Sequence, residues 1–451
     1  MHSITVWKLA KSPNYDTNIN KLYPYSEVPY LGEYKLLKIP ISLNNLIDHV
    51  DYWGEGRIVS QHGISGFTNC YNVNHPYQLV SNGPDVDKKI PNRIPVLSYT
   101  SCDTSAYIKD SSVSLVTVMG SPINSSCAKD IGRMINEDVG RVVIYGFDPD
   151  SQCVTNLKQE LDKKELYLCP GFELPDTLKG LTLFDADNYR AFLNVSEFKN
   201  ELSKKIVSGA YSTAVKICKS LANSQNGGDI ISDLVIKLLN KNCNNLIVFG
   251  YKLWQDGAKD IVRNYFPAEF KLIFNEDPIT IVNDGYYQAL KLDVHKDYYN
   301  DRLAWGDSND KTSKRVSWKL IPIWENHKVV FKLFNIDCNM YLKLDVNSDG
   351  IGDRKAWGSS NSNEVRHKYE LEIVFKNNKL LFLIINHEYK QALKLAVTTD
   401  SYGDRLLWGH NENGEDNILY FDSKSDLKKD EKLLMSMSVL ELQQAKKTLK
   451  E

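Results

Sequence analysis

The sequence contains no run of about 18 apolar residues, so no helix is expected to cross a membrane. It does not open with a basic stretch followed by an apolar core either. Met1-His2-Ser3-Ile4-Thr5-Val6-Trp7-Lys8 is not a secretory leader, and no signal peptide is expected. Charge is nearly balanced, −2 at pH 7 over 451 residues, which argues against nucleic acid or another polyanion as a partner. The eight cysteines (70, 102, 127, 153, 169, 218, 243 and 338) form no CxxC pair, so reduced, mostly buried thiols are expected first and disulfides second. The sequons Asn124-Ser125-Ser126 and Asn194-Val195-Ser196 matter only if the chain enters the secretory path.

Catalytic phrases are missing as well. The nine histidines are dispersed and HExxH is absent, and Gly63-Ile64-Ser65-Gly66 is not the nucleophile elbow GxSxG. The loop from Gly120 to Ser126 stands between an apolar strand and a helix, where backbone N–H groups can hold an anion. It carries neither GxGxxG nor GxxxxGK[ST], so it reads as a connector. Cys127 falls in the first turn of that helix, where the dipole lowers a thiol pKa, but a plain buried cysteine is the simpler reading. No enzyme, no cofactor and no metal are expected. The remaining enzyme alternative lies in residues 100–190.

What the chain does have is a phrase repeated three times. Leu290-Lys291-Leu292 leads to Asp301-Arg302-Leu303-Ala304-Trp305-Gly306. Leu342-Lys343-Leu344 leads to Asp353-Arg354-Lys355-Ala356-Trp357-Gly358, and Leu393-Lys394-Leu395 to Asp404-Arg405-Leu406-Leu407-Trp408-Gly409. The tryptophans are spaced by 52 and 51 residues (357 − 305 and 408 − 357). Each copy is a short strand, a polar turn and a second strand. Further strand pairs follow, such as Trp318–Ile321 with Val329–Leu333 and Tyr369–Leu371 with Leu380–Ile384. Four strands per unit and three units predict a β-trefoil, with the three tryptophans meeting in one core.

The candidate ligand-binding residues are the repeated polar and aromatic ones: Asp301, Arg302, Trp305, Asp353, Arg354, Trp357, Asp404, Arg405 and Trp408. Indoles can stack on sugars, although equivalent positions favour a core role. The arginines are expected to pair with local carboxylates and cap the turns. Lectin trefoils usually carry QxW, which is absent here. The run from Asp345 to Asp353 matches half of a calcium loop, but Ala356 replaces the bidentate Glu and strands flank it. A shared hairpin turn, repeated around Asp297 and Asp400, explains it better.

The fold class expected is multidomain: an N-terminal α/β or mixed region, a central all-α helical bundle and a C-terminal all-β β-trefoil. Residues 1–192 read as the mixed region, with strand, helix, strand, helix, strand between Val113 and Leu168. Residues 193–275 carry helical stripes such as Phe198, Leu202 and Ile206. Residues 276–423 hold the repeats, and 424–451 form a charged tail with a marginal helix.

Ala258-Lys259-Asp260-Ile261-Val262-Arg263-Asn264-Tyr265-Phe266-Pro267 through Phe274, Asp310-Lys311-Thr312-Ser313-Lys314-Arg315-Val316-Ser317-Trp318-Lys319-Leu320 and the Asp-Arg-x-x-Trp-Gly repeats closely resemble the lepidopteran 30-kilodalton haemolymph lipoproteins. The resemblance covers about residues 195–423. It implies a helical domain followed by a β-trefoil, and roles in haemolymph storage, lipid or sugar association, or immune recognition. The long N-terminal extension resembles the layout of the family's longer branch, the binding proteins for ENF cytokine peptides (growth-blocking peptides). That branch implies an extracellular haemolymph protein, held in blood cells and released by lysis. It would sequester a small ENF-type peptide on a surface of the N-terminal region and the helical domain. The alternative is a storage or lipid- or carbohydrate-binding protein acting through the repeats.

Overall fold

The computed structural model describes residues 2–8, 35–41, 49–52, 70–74, 96–98, 108–119, 123–148, 150–172, 189–275, 277–308, 313–411 and 418–423. The chain forms two compact units, residues 1–204 with 216–227, and residues 205–215 with 228–451. The expected tail helix, the Gly63–Gly66 stretch and Gly120–Pro122 lie outside the described residues.

The first unit is built on β1 (His2–Lys8), β2 (Lys35–Ile41), β3 (His49–Tyr52), β4 (Cys70–Asn74), β5 (Val96–Ser98), β6 (Leu115–Met119), β7 (Arg141–Tyr145), β8 (Leu166–Pro170) and β9 (Tyr189–Asn194). They form one sheet in the order β2-β1-β5-β4-β3-β6-β7-β9-β8. The run from β5 to β7 is parallel. β9 is antiparallel to both β7 and β8. Val142, Val143 and Ile144 are all buried in β7, the continuous apolar run of a strand covered on both faces.

Two helices interrupt the strands, α1 (Ser125–Met134) and α2 (Gln152–Leu161). Asn124 caps α1 by accepting from the Cys127 N–H. Ser151 caps α2 in the same way through the Val154 N–H. Ile131, Met134, Val154, Leu157 and Leu161 from the two helices join Val116, Val118, Val142, Ile144 and Leu166 in one core.

The expectation of reduced thiols is corrected at one position. Cys127 is disulfide-bonded, so its place in the first turn of α1 activates no thiolate. Cys153, Cys169, Cys218, Cys243 and Cys338 are free. Burial pushes Cys218 up to about 12, which leaves it inert.

Helices α3 (Val195–Val207), α4 (Tyr211–Ala222), α5 (Gly227–Leu239), α6 (Asn245–Gln255), α7 (Lys259–Tyr265) and α8 (Ala268–Phe274) follow. Asn194 starts α3 by accepting from the Glu197 N–H. The second unit then continues as β10 (Ile279–Asn283), β11 (Ala289–Leu292), β12 (Arg302–Asp307), β13 (Trp318–Glu325), β14 (Lys328–Asn335) and β15 (Met340–Leu344). It ends with β16 (Arg354–Ser359), β17 (Lys368–Lys376), β18 (Lys379–Asn386), β19 (Ala392–Leu395), β20 (Arg405–His410) and β21 (Ile418–Ser423). Helices of this unit seat their rings on the strands. Phe274 stacks on Phe331 with centroids 6.5 Å apart, and Tyr251 on Trp324 at 6.2 Å. Asn242 and Asn244 accept from the backbone N–H groups of Phe375 and Ile373.

The expected fold class, with its separate all-α bundle and its β-trefoil, is corrected by these pairings. The boundary between the two compact units runs through α3 and α4. The twelve C-terminal strands form one continuous sheet. Its closing ring is β10, β13, β14, β17, β18 and β21, each paired with the next and the last with the first, which makes a closed antiparallel barrel. β12, β16 and β20 pair with one another across it. The β-trefoil reading had the three repeat tryptophans meeting in the core, and they do not. Trp305, Trp357 and Trp408 are partly exposed. On the barrel strands Trp318, Phe331, Tyr369 and Phe382 are fully buried instead. The positions beside each tryptophan explain its outward aspect. Ala304, Ala356 and Leu407 alternate inward with it, followed by Gly306, Gly358 and Gly409.

Those glycines are close approaches between repeats. A Cβ on Gly306 would lie 2.7 Å from Leu395 Cδ1, one on Gly358 2.3 Å from Leu292 Cδ1, and one on Gly409 2.3 Å from Leu344 Cδ1. Gly358→Ala is therefore expected to lower stability by about 1–3 kcal/mol through overpacking. Urea denaturation of the variant checks this, and an unchanged midpoint would refute the contact.

Candidate functional site

The repeated Leu-Lys-Leu phrase forms β11, β15 and β19, and its lysine would have no business on an apolar strand unless it met an acid. In each case the acid comes from another repeat. Lys291 Nζ lies 2.5 Å from Asp404 Oδ2, Lys343 Nζ 2.5 Å from Asp301 Oδ2, and Lys394 Nζ 3.4 Å from Asp353 Oδ2. First repeat to third, second to first, third to second, the pairs run once around the barrel. Lys291 and Lys343 are buried and Lys394 is half-buried. A second set of partners differs between repeats. Asp307 sits 3.0 Å from Lys291, and His410 Nδ1 lies 2.5 Å from Asp353 Oδ1. Ser359 stands at the corresponding place in the second repeat.

The nine candidate residues gather into three equivalent clusters, one at each hairpin. Asp301, Asp353 and Asp404 spend their carboxylates on the lysine ring. The arginines cap turns, but onto carbonyls rather than the expected carboxylates. Arg302 Nη1 donates to the carbonyls of Asp293 and Val294, Arg354 Nη1 to those of Asp345 and Val346, and Arg405 Nη1 to those of Ala396 and Val397. Arg405 also lies 3.9 Å over the Tyr286 ring and Arg354 4.0 Å over the Tyr389 ring. At the position of those tyrosines the second repeat has Cys338. All three share a turn in which Asn283, Asn335 or Asn386 accepts the N–H three residues on. Burial raises the Cys338 thiol, and the nearby Arg302 works against that. Trp357 Nε1 donates to Asp345 Oδ2 at 3.1 Å, and Lys355 Nζ lies 5.6 Å over Trp408.

The half calcium loop is a hairpin turn. Asp349 Oδ1 accepts from the N–H groups of Ile351 and Asp353, as Asp297 does from Tyr299 and Asp301, and Asp400 from Tyr402 and Asp404. Asp345 takes the Asn347 N–H and the Trp357 indole. The carboxylates of this run are spent on separate partners and do not converge on a cation.

Lys291, Lys343, Lys394, His410, Tyr286 and Tyr389 were missed as parts of the site. The signal for the lysines lay in the repeat itself, since a cation flanked by leucines on a buried strand demands a partner. His367 is a further neighbour, fully buried on the turn before β17, where the preceding repeat has Val316. Burial pushes it down to about 4, and the Lys343 ammonium adds to that.

Residues 196–422 match the family model described as Lepidopteran low molecular weight (30 kD) lipoprotein. Low molecular mass lipoprotein 3 of Bombyx mori is 40% identical over 235 residues, which are 51% of this chain and 91% of that protein. Microvitellogenin of Manduca sexta is 39% identical over 214 residues, 48% of this chain and 86% of that protein. Low molecular mass lipoprotein PBMHP-6 of Bombyx mori is 34% identical over 211 residues, covering 47% and 81%. None of the three is named as an enzyme. All nine candidate residues lie inside the matched stretch. No described helix is long and apolar enough to cross a membrane.

Removing one member of a buried pair strands the other, whereas replacing both does not. Lys343→Ala is expected to cost about 3 kcal/mol, and Lys343→Met with Asp301→Leu far less, in urea denaturation. The pH effect of His367 has a definite sign. Its folded pKa, about 4, lies below the ordinary value of about 6.5, so its stability contribution is complete above 6.5 and is lost as the pH falls toward 4. Thermal melts between pH 7 and pH 4 are expected to show a smaller loss for His367→Val than for the native chain. Equal losses would refute this.

Proposed function

Because the chain belongs to the lepidopteran low molecular weight (30 kD) lipoprotein family, we propose that it is a non-enzymatic haemolymph binding protein that sequesters a small ENF-type peptide. The observation that carries the reading is the triplicate display on the hairpins. Tyr299, Ile351 and Tyr402 are 78%, 75% and 77% exposed, and Val294, Val346 and Val397 are exposed behind them. Apolar side chains held out to water on a frame locked by buried ion pairs call for a ligand. The Arg354–Tyr389 and Arg405–Tyr286 stacks offer a cation and a ring face to a peptide's carboxylates and aromatic groups. In this proposal the candidate aspartates hold the frame, while Arg302, Arg354, Arg405, Trp305, Trp357 and Trp408 face the ligand. The division into residues 1–192, 193–275, 276–423 and 424–451 serves as its functional partition.

The Cys127 disulfide supports an extracellular setting, since such bonds persist in oxidising compartments. A second reading, storage with lipid or carbohydrate association, draws on the family's description and on the same apolar display. Calorimetric titration of a synthetic ENF peptide into the full chain separates the two. Binding that weakens about tenfold or more in Arg354→Ala/Arg405→Ala is expected. Absence of binding to the native chain would overturn the peptide reading, and organic extraction of the purified protein would then test for bound lipid.

A further inference from the structure

The first unit has a use that the lipoprotein match, which begins at residue 196, does not touch. We propose that its sheet binds an adenosine-bearing cofactor of the S-adenosyl class at the carboxyl ends of β3, β4 and β6.

Strand order carries the inference. From β3 the chain steps outward to β4 and then to β5, all parallel. It then returns to the other side of β3 as β6 and steps the opposite way to β7, still parallel. The order therefore reverses between β3 and β6. At such a switch point the connections leaving the two strands part in opposite directions, and the crevice at the strands' carboxyl ends is where doubly wound sheets bind nucleotides. Register puts the ends together. Asp51 pairs with Thr117, Tyr52 with Val73, and Asn74 with Ser98. The carboxyl edge of the sheet thus brings Tyr52, Asn74 and Ser98 into adjacent positions on neighbouring strands.

The sequence at this edge has the matching chemistry. Asn74 ends β4, the strand beside β3. In nucleoside-binding sheets of this kind a polar residue at the end of the second strand takes the ribose hydroxyls. Beneath the crevice Tyr52 is fully buried and its hydroxyl donates to Asp130 Oδ2 on α1 at 3.1 Å. Asp130 in turn pairs with Arg133 at 2.9 Å. That buried chain fixes the end of β3 against the helix that follows β6.

One departure chooses among adenosine ligands. β9 runs antiparallel between β7 and β8, whereas a dinucleotide sheet continues parallel. A doubly wound sheet with a reversed strand inserted at that edge is the arrangement of S-adenosyl-binding folds, whose ligand has a ribose and a purine but no pyrophosphate.

Calorimetric titration of the full chain with S-adenosylhomocysteine and, separately, with NAD tests this. One site for S-adenosylhomocysteine with Kd below about 100 µM is expected, with NAD at least about tenfold weaker. Asn74→Ala is expected to weaken S-adenosylhomocysteine about tenfold or more. Asn74→Asp, which restores an acceptor for the ribose, is expected to bind as tightly as the native chain and guards against misfolding of the first variant. No heat with either ligand up to about 1 mM would overturn the site, and tighter binding of NAD would overturn the ligand class. Affinity unchanged in Asn74→Ala would overturn the placement.

Discussion

Each repeat of the second unit is held by the one before it through a buried lysine and a borrowed aspartate. The three pairs, Lys291 with Asp404, Lys343 with Asp301 and Lys394 with Asp353, form a cycle with no free end. The packing of Gly306 on Leu395, Gly358 on Leu292 and Gly409 on Leu344 runs in the same direction. Charge and shape therefore specify the same neighbour. A buried ion pair adds little net stability compared with apolar packing, but a mispaired lysine is costly. The cycle is best understood as a device that fixes which hairpin meets which, and the barrel closes because that order allows only one closure.

This constraint also decides what the hairpins present to solvent. With the aspartates consumed inside, the hairpins are left with guanidinium groups bound to turn carbonyls, half-exposed indoles and apolar tips. Arg354 and Arg405 keep their charge while their orientation is set by two carbonyls and a tyrosine face. A cation so fixed loses little side-chain entropy on meeting a partner.

Much of this was legible in the sequence, and the failures have identifiable causes. The repeat spacing, the hairpins and the helical stripes around Phe198 and Phe270 depend on local periodicity, which survives folding. The error over Trp305, Trp357 and Trp408 came from treating a repeated aromatic as core by default. Facing direction in a strand depends on register, and here Ala304, Ala356 and Leu407 hold the inward places. The disulfide at Cys127 was hidden because no close cysteine spacing marks it. The parallel sheet of the first unit was readable only between Val113 and Leu168. Its earlier strands are short, three to five residues, and widely separated, so their pairing is a long-range fact.

The threefold pattern is geometric and not chemical. Lys291 faces two carboxylates, Asp307 and Asp404. Lys343 faces Asp301, with Ser359 where the first repeat has Asp307. Lys394 shares Asp353 with His410. The outer face breaks the symmetry in step, since two repeats supply a tyrosine beneath an arginine and the remaining one supplies Cys338. Exact repetition would give three equal surfaces. Divergence at Asp307, Ser359 and His410 inside, and at Tyr286, Cys338 and Tyr389 outside, gives one frame with three different surfaces.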